Sequence, residues 1–166
     1  MLIHTGIGFD AHRFARGRRL ILGGVRIASK LGLKGHSDAD VLCHAVMDAI
    51  LGAAAEGDIG RHFPDTEARW KDACSLDLLA RVVKVVGDKG WRVVNVDSTV
   101  LAEIPRLAPH VTAMRAAMAE AMGVPPASVS IKATTVEGMG ALGRKEGVAA
   151  MAVATLAKRP ARKRNR

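Results

Sequence analysis

An α+β fold, with a single mixed or antiparallel β-sheet carrying helices packed on one face, is what this 166-residue sequence predicts. Three observations lead there. Segments with strand and helix character follow one another as strand, hairpin, helix, helix, strand, helix, strand, strand. No repeat and no internal linker breaks the chain, so residues 1–157 are expected to form one domain, large enough to bury a real core. Apolar residues make up 49% of the chain while aromatic residues make up 3% with no tyrosine, so the core falls to Val, Leu, Ile, Ala and Met.

Residues 2–9 alternate loosely and read as a strand running into Asp10 and His12. Arg18–Ala28 reads as two short strands about a Gly23-Gly24 turn, a common hairpin signal. The stretch KGHSDADV then reads as a loop ending in a helix start, with Ser37 or Asp38 as N-cap. That helix runs to about Ala54, and Gly57 helps to stop it. Asp58–Trp70 has no clean period and contains Gly60 and Pro64, which predicts an ordered loop. Ser75 is expected to cap a second amphipathic helix from Leu76 to about Asp88. Trp91–Glu103 is rich in β-branched residues and predicts a long strand. Pro105 and Pro109 frame a turn, a third helix reaches Met122, and Ser128–Val136 is again a strand. A glycine-rich loop (Gly138, Gly140, Gly143, Gly147) leads into GVAAMAVATLA, the last strand.

The net charge of +9 invites a nucleic-acid reading, so its location matters. Removing Lys158–Arg166, with its six cationic and no acidic residues, takes the balance to +3. A basic end of this kind is expected to be a disordered tail, residues 158–166, and nucleic acid is an unlikely partner. No apolar run reaches the roughly 18 residues that span a bilayer. Residues 1–25 lack a secretory signal, so no membrane partner is expected and the cytoplasm is the predicted location. Cys43 and Cys74 make neither a disulfide framework nor a clustered cysteine zinc site. GIGFDA lacks the third glycine of a dinucleotide-binding turn, and no βαβ unit follows it.

Several segments carry chemistry. In an extended chain Asp10 and His12 project to the same side. His44 lies on the first helix, one turn from Asp40 and from Asp48. Two histidines and a carboxylate can hold a catalytic zinc with one position open; equally, Asp10 and His12 can simply bond each other, with His44 a satisfied core residue. In GHSDAD, His36 and Ser37 precede a helix N-terminus, which suits an anion, although capping alone explains Ser37 and Asp38. Gly57, Gly60 and Pro64 fix Asp58 and Asp65 in GDIGRHFPDT, either to accept from substrate hydroxyls or as an ordinary surface loop. Ala133, Thr135 and Glu137 share one face at a strand end, where hydroxyl and carboxylate suit phosphate and a hard divalent ion or plain solvation. Arg144 and Lys145 follow and can meet phosphate oxygens.

Four segments, GIGFDAHRF, GHSDADVLCHAVMDAILGAAAEGDIGRHFPDT, VNVDSTVLAEIPRLAPH and IKATTVEGMGALGRKEGVA, together resemble the 2-C-methyl-D-erythritol 2,4-cyclodiphosphate synthase family of the non-mevalonate isoprenoid pathway. They stand in family order from about residue 3 to 157. The resemblance implies a homotrimer with active sites between subunits. It implies intramolecular attack of the 2-phosphate of 4-diphosphocytidyl-2-C-methyl-D-erythritol 2-phosphate on the β-phosphate, with release of CMP. It further implies Asp10, His12 and His44 as zinc ligands, and His36 and Thr135 as catalytic residues supporting the transition state. Ser37, Asp58, Ile59, Gly60, Phe63, Asp65 and Arg144 match substrate-binding positions. Ala102, Pro105, Arg106, Leu107, Ala133 and Thr134 match the cytidine pocket of the neighbouring subunit. Glu137 matches the residue holding a second ion, Mg²⁺ or Mn²⁺, on the diphosphate.

Two positions depart from the family pattern. Arg106 stands where lysine is usual, which alters the geometry of a phosphate contact. Ala141 replaces an aromatic residue that often lines the central cavity of the trimer, so binding of isoprenoid diphosphates there is not implied. Two other readings of the chain are a zinc hydrolase, which lacks an H-E-x-x-H arrangement here, and a tail-driven nucleic-acid binder.

Overall fold

Thirteen residues of β1 (Ile3–Ala15) form the spine of the sheet. The computed structural model describes residues 2–158, in which five strands assemble in the order β4-β1-β7-β5-β6. Here β4 is Gly32–Leu33, β5 Trp91–Leu101, β6 Val129–Thr134 and β7 Gly147–Lys158. β5 and β6 pair parallel, and the other neighbours pair antiparallel, so the sheet is mixed. The hairpin of β2 (Leu20–Leu22) and β3 (Val25–Ile27) stands apart as a second small sheet. The α+β class is as expected, and the expected strands follow in order along the chain, with the two-residue β4 added between the hairpin and the first helix.

Alternation along β1 explains which face is covered. His4, Gly6, Gly8, Asp10 and His12 turn toward the helices, while Ile3, Thr5, Ile7, Phe9 and Ala11 are exposed on the other side. α1 (Val41–Ala54) lies directly over β1 and β7. The approach is close enough that a Cβ on Gly6 would run into the Ala49 carbonyl, and one on Gly8 into the Ala45 carbonyl. These two glycines are therefore spacers for the helix, and the next same-face residue, Asp10, meets the start of α1 where His44 stands. α3 (Ser75–Asp88) packs on α1, and α4 (Val111–Met122) on α3 and β6. Leu42, Met47, Ile50, Leu51, Leu79, Met114, Met118 and Leu156 are fully buried between these layers, a core of aliphatic and methionine side chains. No helix among the described residues is long and apolar enough to cross a membrane.

Several local expectations are corrected. The first strand runs to Ala15 instead of ending at residue 9, because β7 pairs with it from Ala157 to Gly147. The N-cap of α1 is Asp40, whose carboxylate takes the Cys43 N–H, and not Ser37 or Asp38. The same carboxylate accepts from Gly23 and Gly24 N–H, so it ties the hairpin turn to the helix. Ala55, left-handed at φ 59°, closes α1 ahead of Gly57. α3 begins at Ser75 with Cys74 in the cap position, and the Ser75 N–H is satisfied from outside by Asp38. The expected loop at Asp58–Trp70 contains a one-turn helix, α2 (Ile59–His62), capped by Asp58, and a 3₁₀ turn at Ala68–Trp70. The glycine-rich segment likewise holds a short helix, α5 (Gly140–Gly143). Lys158 belongs to β7, with Nζ 4.4 Å from the Trp91 ring centroid, so the basic tail starts no earlier than residue 159, and that stretch lies outside the described residues.

Candidate active site

The end of β1 and the first turn of α1 bring Asp10, His12 and His44 together. Asp10 Oδ2 is 2.8 Å from His12 Nε2 and 2.9 Å from His44 Nδ1, and the two ring nitrogens are 3.1 Å apart. Burial pushes the Asp10 carboxyl up, but hydrogen bonds and charge from His12 and His44 outweigh it and hold the group well below the ordinary carboxylate range. For His12 burial acts downward, yet the Asp10 partner and the Lys34 backbone leave the imidazole raised above 6.5. Such an arrangement gathers three donors on one point.

The donor set fits zinc. Tetrahedral ligands at about 2.0–2.1 Å from zinc lie roughly 3.3 Å from one another, and these three need only part by a few tenths of an ångström. Both rings are held from behind: His12 by the Lys34 backbone, and His44 Nε2 by Ser37 Oγ at 3.1 Å and Ser75 Oγ at 3.2 Å. Orientation of this kind is what a metal-binding imidazole requires.

An open cavity of about 520 Å³ adjoins the cluster. Among its lining are Asp10, His12, His36, Ser37, His44, Ile59, Gly60, Phe63 and Asp65. Half-buried His36 is fixed by a 3.4 Å contact from Nε2 to the Glu67 carbonyl. The helix N-terminus expected to take an anion is already occupied by the Asp40 carboxylate, so His36 and Ser37 act on the cavity through their side chains. Asp58 is exposed and caps α2 by accepting from Arg61 N–H, and Asp48 accepts from Ile59 N–H, which fixes that helix against α1.

Thr66, Trp70, Met47 and Leu78 also line the cavity, beside Pro64, and these four were not singled out from the sequence. Met47 was within reach of sequence reasoning, standing one helical turn after His44. Trp70 was not, since its place depends on the 3₁₀ turn stacking it edge-on against Phe63 at 5.0 Å. Its indole N–H is buried and has no hydrogen-bond partner among the described residues.

The remaining expected site residues gather elsewhere. Ala102, Pro105, Arg106, Leu107, Ala133, Thr134 and Thr135 line a separate hollow of about 320 Å³. Thr135 and Glu137 lie just beyond the end of β6, with Thr135 Oγ1 donating to Glu137 Oε1 at 2.8 Å. Glu103 Oε1 accepts from Val136 and Gly138 N–H and pins that turn. Arg144 is exposed and paired with Glu146 through Nε at 2.9 Å. Across the sheet, Asp10 faces Ala150, Ala150 faces Val100 and Val100 faces Ala133. Three strand spacings put the two groups about 14 Å apart within one chain.

A model of the YgbB family matches residues 3–157. The chain belongs to that family. It is 58% identical over 154 residues to a 2-C-methyl-D-erythritol 2,4-cyclodiphosphate synthase of Symbiobacterium thermophilum, covering 93% of this chain and 98% of that one. It is 57% identical over 154 residues to the bifunctional enzyme IspD/IspF of Anaeromyxobacter dehalogenans, again over 93% of this chain but only 40% of that longer protein. A solved 2C-methyl-D-erythritol-2,4-cyclodiphosphate synthase in a form bound to CDP superposes with a TM-score of 0.84 at 34% identity, covering 92% of this chain and 99% of that one. The family's members are enzymes of this type, and the fold is theirs.

Proposed function

We propose that the chain converts 4-diphosphocytidyl-2-C-methyl-D-erythritol 2-phosphate to 2-C-methyl-D-erythritol 2,4-cyclodiphosphate and CMP, in the cytoplasm, as a step of non-mevalonate isoprenoid precursor synthesis. The observation that carries the reading is the Asp10, His12 and His44 cluster at the wall of the cavity that holds His36, Ser37, Phe63 and Asp65. An oxygen of the 2-phosphate forms a new bond to the β-phosphorus as the bond to the oxygen shared with the α-phosphate breaks. That oxygen leaves on CMP, and no protein side chain forms a covalent bond.

Both reacting groups belong to one molecule, so positioning dominates. Holding them in line can contribute on the order of 7–11 kcal/mol. Zinc, held by Asp10, His12 and His44, would supply a Lewis acid and template at the diphosphate. His36, and Thr135 of the neighbouring subunit, donate toward the oxygens that gather charge. Ser37 stands beside the phosphates, while Asp58, Ile59, Gly60, Phe63 and Asp65 enclose the methylerythritol part. Ala102, Pro105, Arg106, Leu107, Ala133 and Thr134 form the cytidine pocket, Glu137 would hold the second ion, Mg²⁺ or Mn²⁺, that supplies positive charge to the diphosphate, and Arg144 meets phosphate.

One chain keeps its two groups about 14 Å apart, so this division of labour draws the second group from a neighbouring subunit, in the homotrimer that the family resemblance implies. The outer face of the sheet supports it: Ile7 and Phe9 are 66% and 58% exposed, and Met151 and Val153 stand beside them on β7. Contiguous apolar surface of this kind is a self-association face. Incubating the metal-loaded protein with the diphosphocytidyl substrate and Mg²⁺ should release CMP and give a cyclic diphosphate by phosphorus NMR. Folded, zinc-loaded protein that leaves the substrate intact would overturn the reading.

A further inference from the structure

His44 Nε2 faces two hydroxyls, Ser37 Oγ and Ser75 Oγ, and they are not equivalent. Ser75 is fully buried at the start of α3, and both of its donors go to one carboxylate. Its N–H meets Asp38 Oδ2 at 2.9 Å, and its hydroxyl meets Asp38 Oδ1 at 2.5 Å. An ionised carboxylate only accepts, so the Ser75 hydroxyl proton is committed to Asp38. What Ser75 Oγ offers His44 is then a lone pair. With a metal on Nδ1, which lies 2.9 Å from Asp10 and 3.1 Å from His12 Nε2, the ring proton sits on Nε2 and that lone pair accepts it. Ser37 Oγ accepts from Ala39 N–H, but among the described residues no carboxylate sets the direction of its proton.

We propose that Asp38 and Ser75 are positioning residues for the metal centre: through the chain Asp38, Ser75, His44 they accept the Nε2–H of the metal-bound ring and so aim His44 Nδ1 at zinc. The inference rests on the metal site proposed above. It also gives a reason for the external capping of α3. Asp38, two residues before the N-cap of α1, clamps the start of α3 and sets the proton on a ligand of α1 with the same side chain.

The test needs no substrate. In zinc-loaded wild-type protein, proton–nitrogen NMR of the imidazoles should show His44 bound through Nδ1 with its proton on Nε2, and that proton signal should shift in Asp38→Asn. Ser75→Ala should weaken zinc binding, measured by competition with a chromophoric chelator, by about tenfold to a hundredfold. Asp38→Asn should do the same, because its amide NH₂ can face Ser75 only by turning the hydroxyl proton toward His44, which moves the ring proton to Nδ1. A zinc-loaded His44 bound through Nε2, with its proton on Nδ1, overturns the proposal. So does wild-type zinc affinity in both variants with only a lowered melting temperature, which would make the pair a helix clamp and nothing more. If Ser75→Ala does not fold, Asp38→Asn and the wild-type tautomer decide. Failure of the synthase reading is separate: protein with these tautomer and zinc results but no CMP release would sink the reaction alone. Unchanged zinc affinity in His44→Ala would remove the metal site and this inference with it.

Discussion

Asp10 and His12 are two residues apart on one strand, and their pairing makes opposite demands on pH. Asp10 is lowered in the folded chain, so its contribution to stability is complete above its ordinary 3.8 and is lost as pH falls toward the lowered value. His12 is raised, so its contribution is complete below its ordinary 6.5 and is lost as pH climbs through the raised value. Metal-free protein should therefore gain most from the pair between pH 3.8 and 6.5. Thermal melts of wild type against His12→Asn should differ most in that window and converge at higher pH. Zinc must displace the His12 proton, so its affinity should fall on acidification through the raised value, as chelator competition across pH would register. A second expectation concerns His44→Ala. Turnover should be lost while the assembly survives, because the side chain meets the cavity and its neighbouring hydroxyls instead of the outer sheet face. Dissociation of the oligomer in light scattering would make His44 structural instead.

At the scale of elements, the decisive contact is α1 on β1. Gly6 and Gly8 let the helix backbone sit on the strand, and that closeness sets the distance from His44 to Asp10. Gly8→Ala would press a methyl into the Ala45 carbonyl and force the helix outward. We expect a loss of about 1–3 kcal/mol in denaturant unfolding, the usual range for overpacking, together with weaker zinc binding. Unchanged zinc affinity would mean that the helix position does not govern the site. The helices and strands themselves were legible from periodicity and turn residues. Their caps were not: Asp40, Cys74 and Ala55 took the places expected for Ser37 or Asp38, Ser75 and Gly57. The Ala55 cap is closed locally, by the Gly52 and Leu51 carbonyls, but the other two choices depend on partners distant in sequence. Asp40 is drawn inward by the Gly23 and Gly24 N–H groups, and Asp38 is turned away from α1 by Ser75.

For the whole molecule, the question is what covers the outer face of the sheet. Phe9 pairs with Met151 and Ile7 with Val153, so the exposed apolar side chains form adjacent rows across β1 and β7. Phe9→Glu should turn the assembly into monomers in sedimentation and abolish turnover. Zinc affinity should stay near wild type, because Asp10, His12 and His44 come from one chain and lie on the helix-facing side. A trimer that persists with full activity would show that this face is not the subunit boundary. The two site groups, separated by three strand spacings within a chain, give the same mutation its expected effect on catalysis.

The sequence by itself determined the α+β class and the order of its elements, and its resemblance to a family singled out Asp10, His12 and His44 as a candidate metal set. Strand alternation put Asp10 and His12 on one side, and the helical pattern placed His44 in the first turns of α1. These are local properties, carried by periodicity and by spacing within a few residues. Only the tertiary structure decided that His44 reaches Asp10, because that depends on two glycines letting a helix settle on a strand. It alone brought Trp70 and Leu78 to the cavity and Ser75 to the back of the His44 ring, across 31 positions of chain. Such contacts arise from packing between elements, which no local pattern encodes.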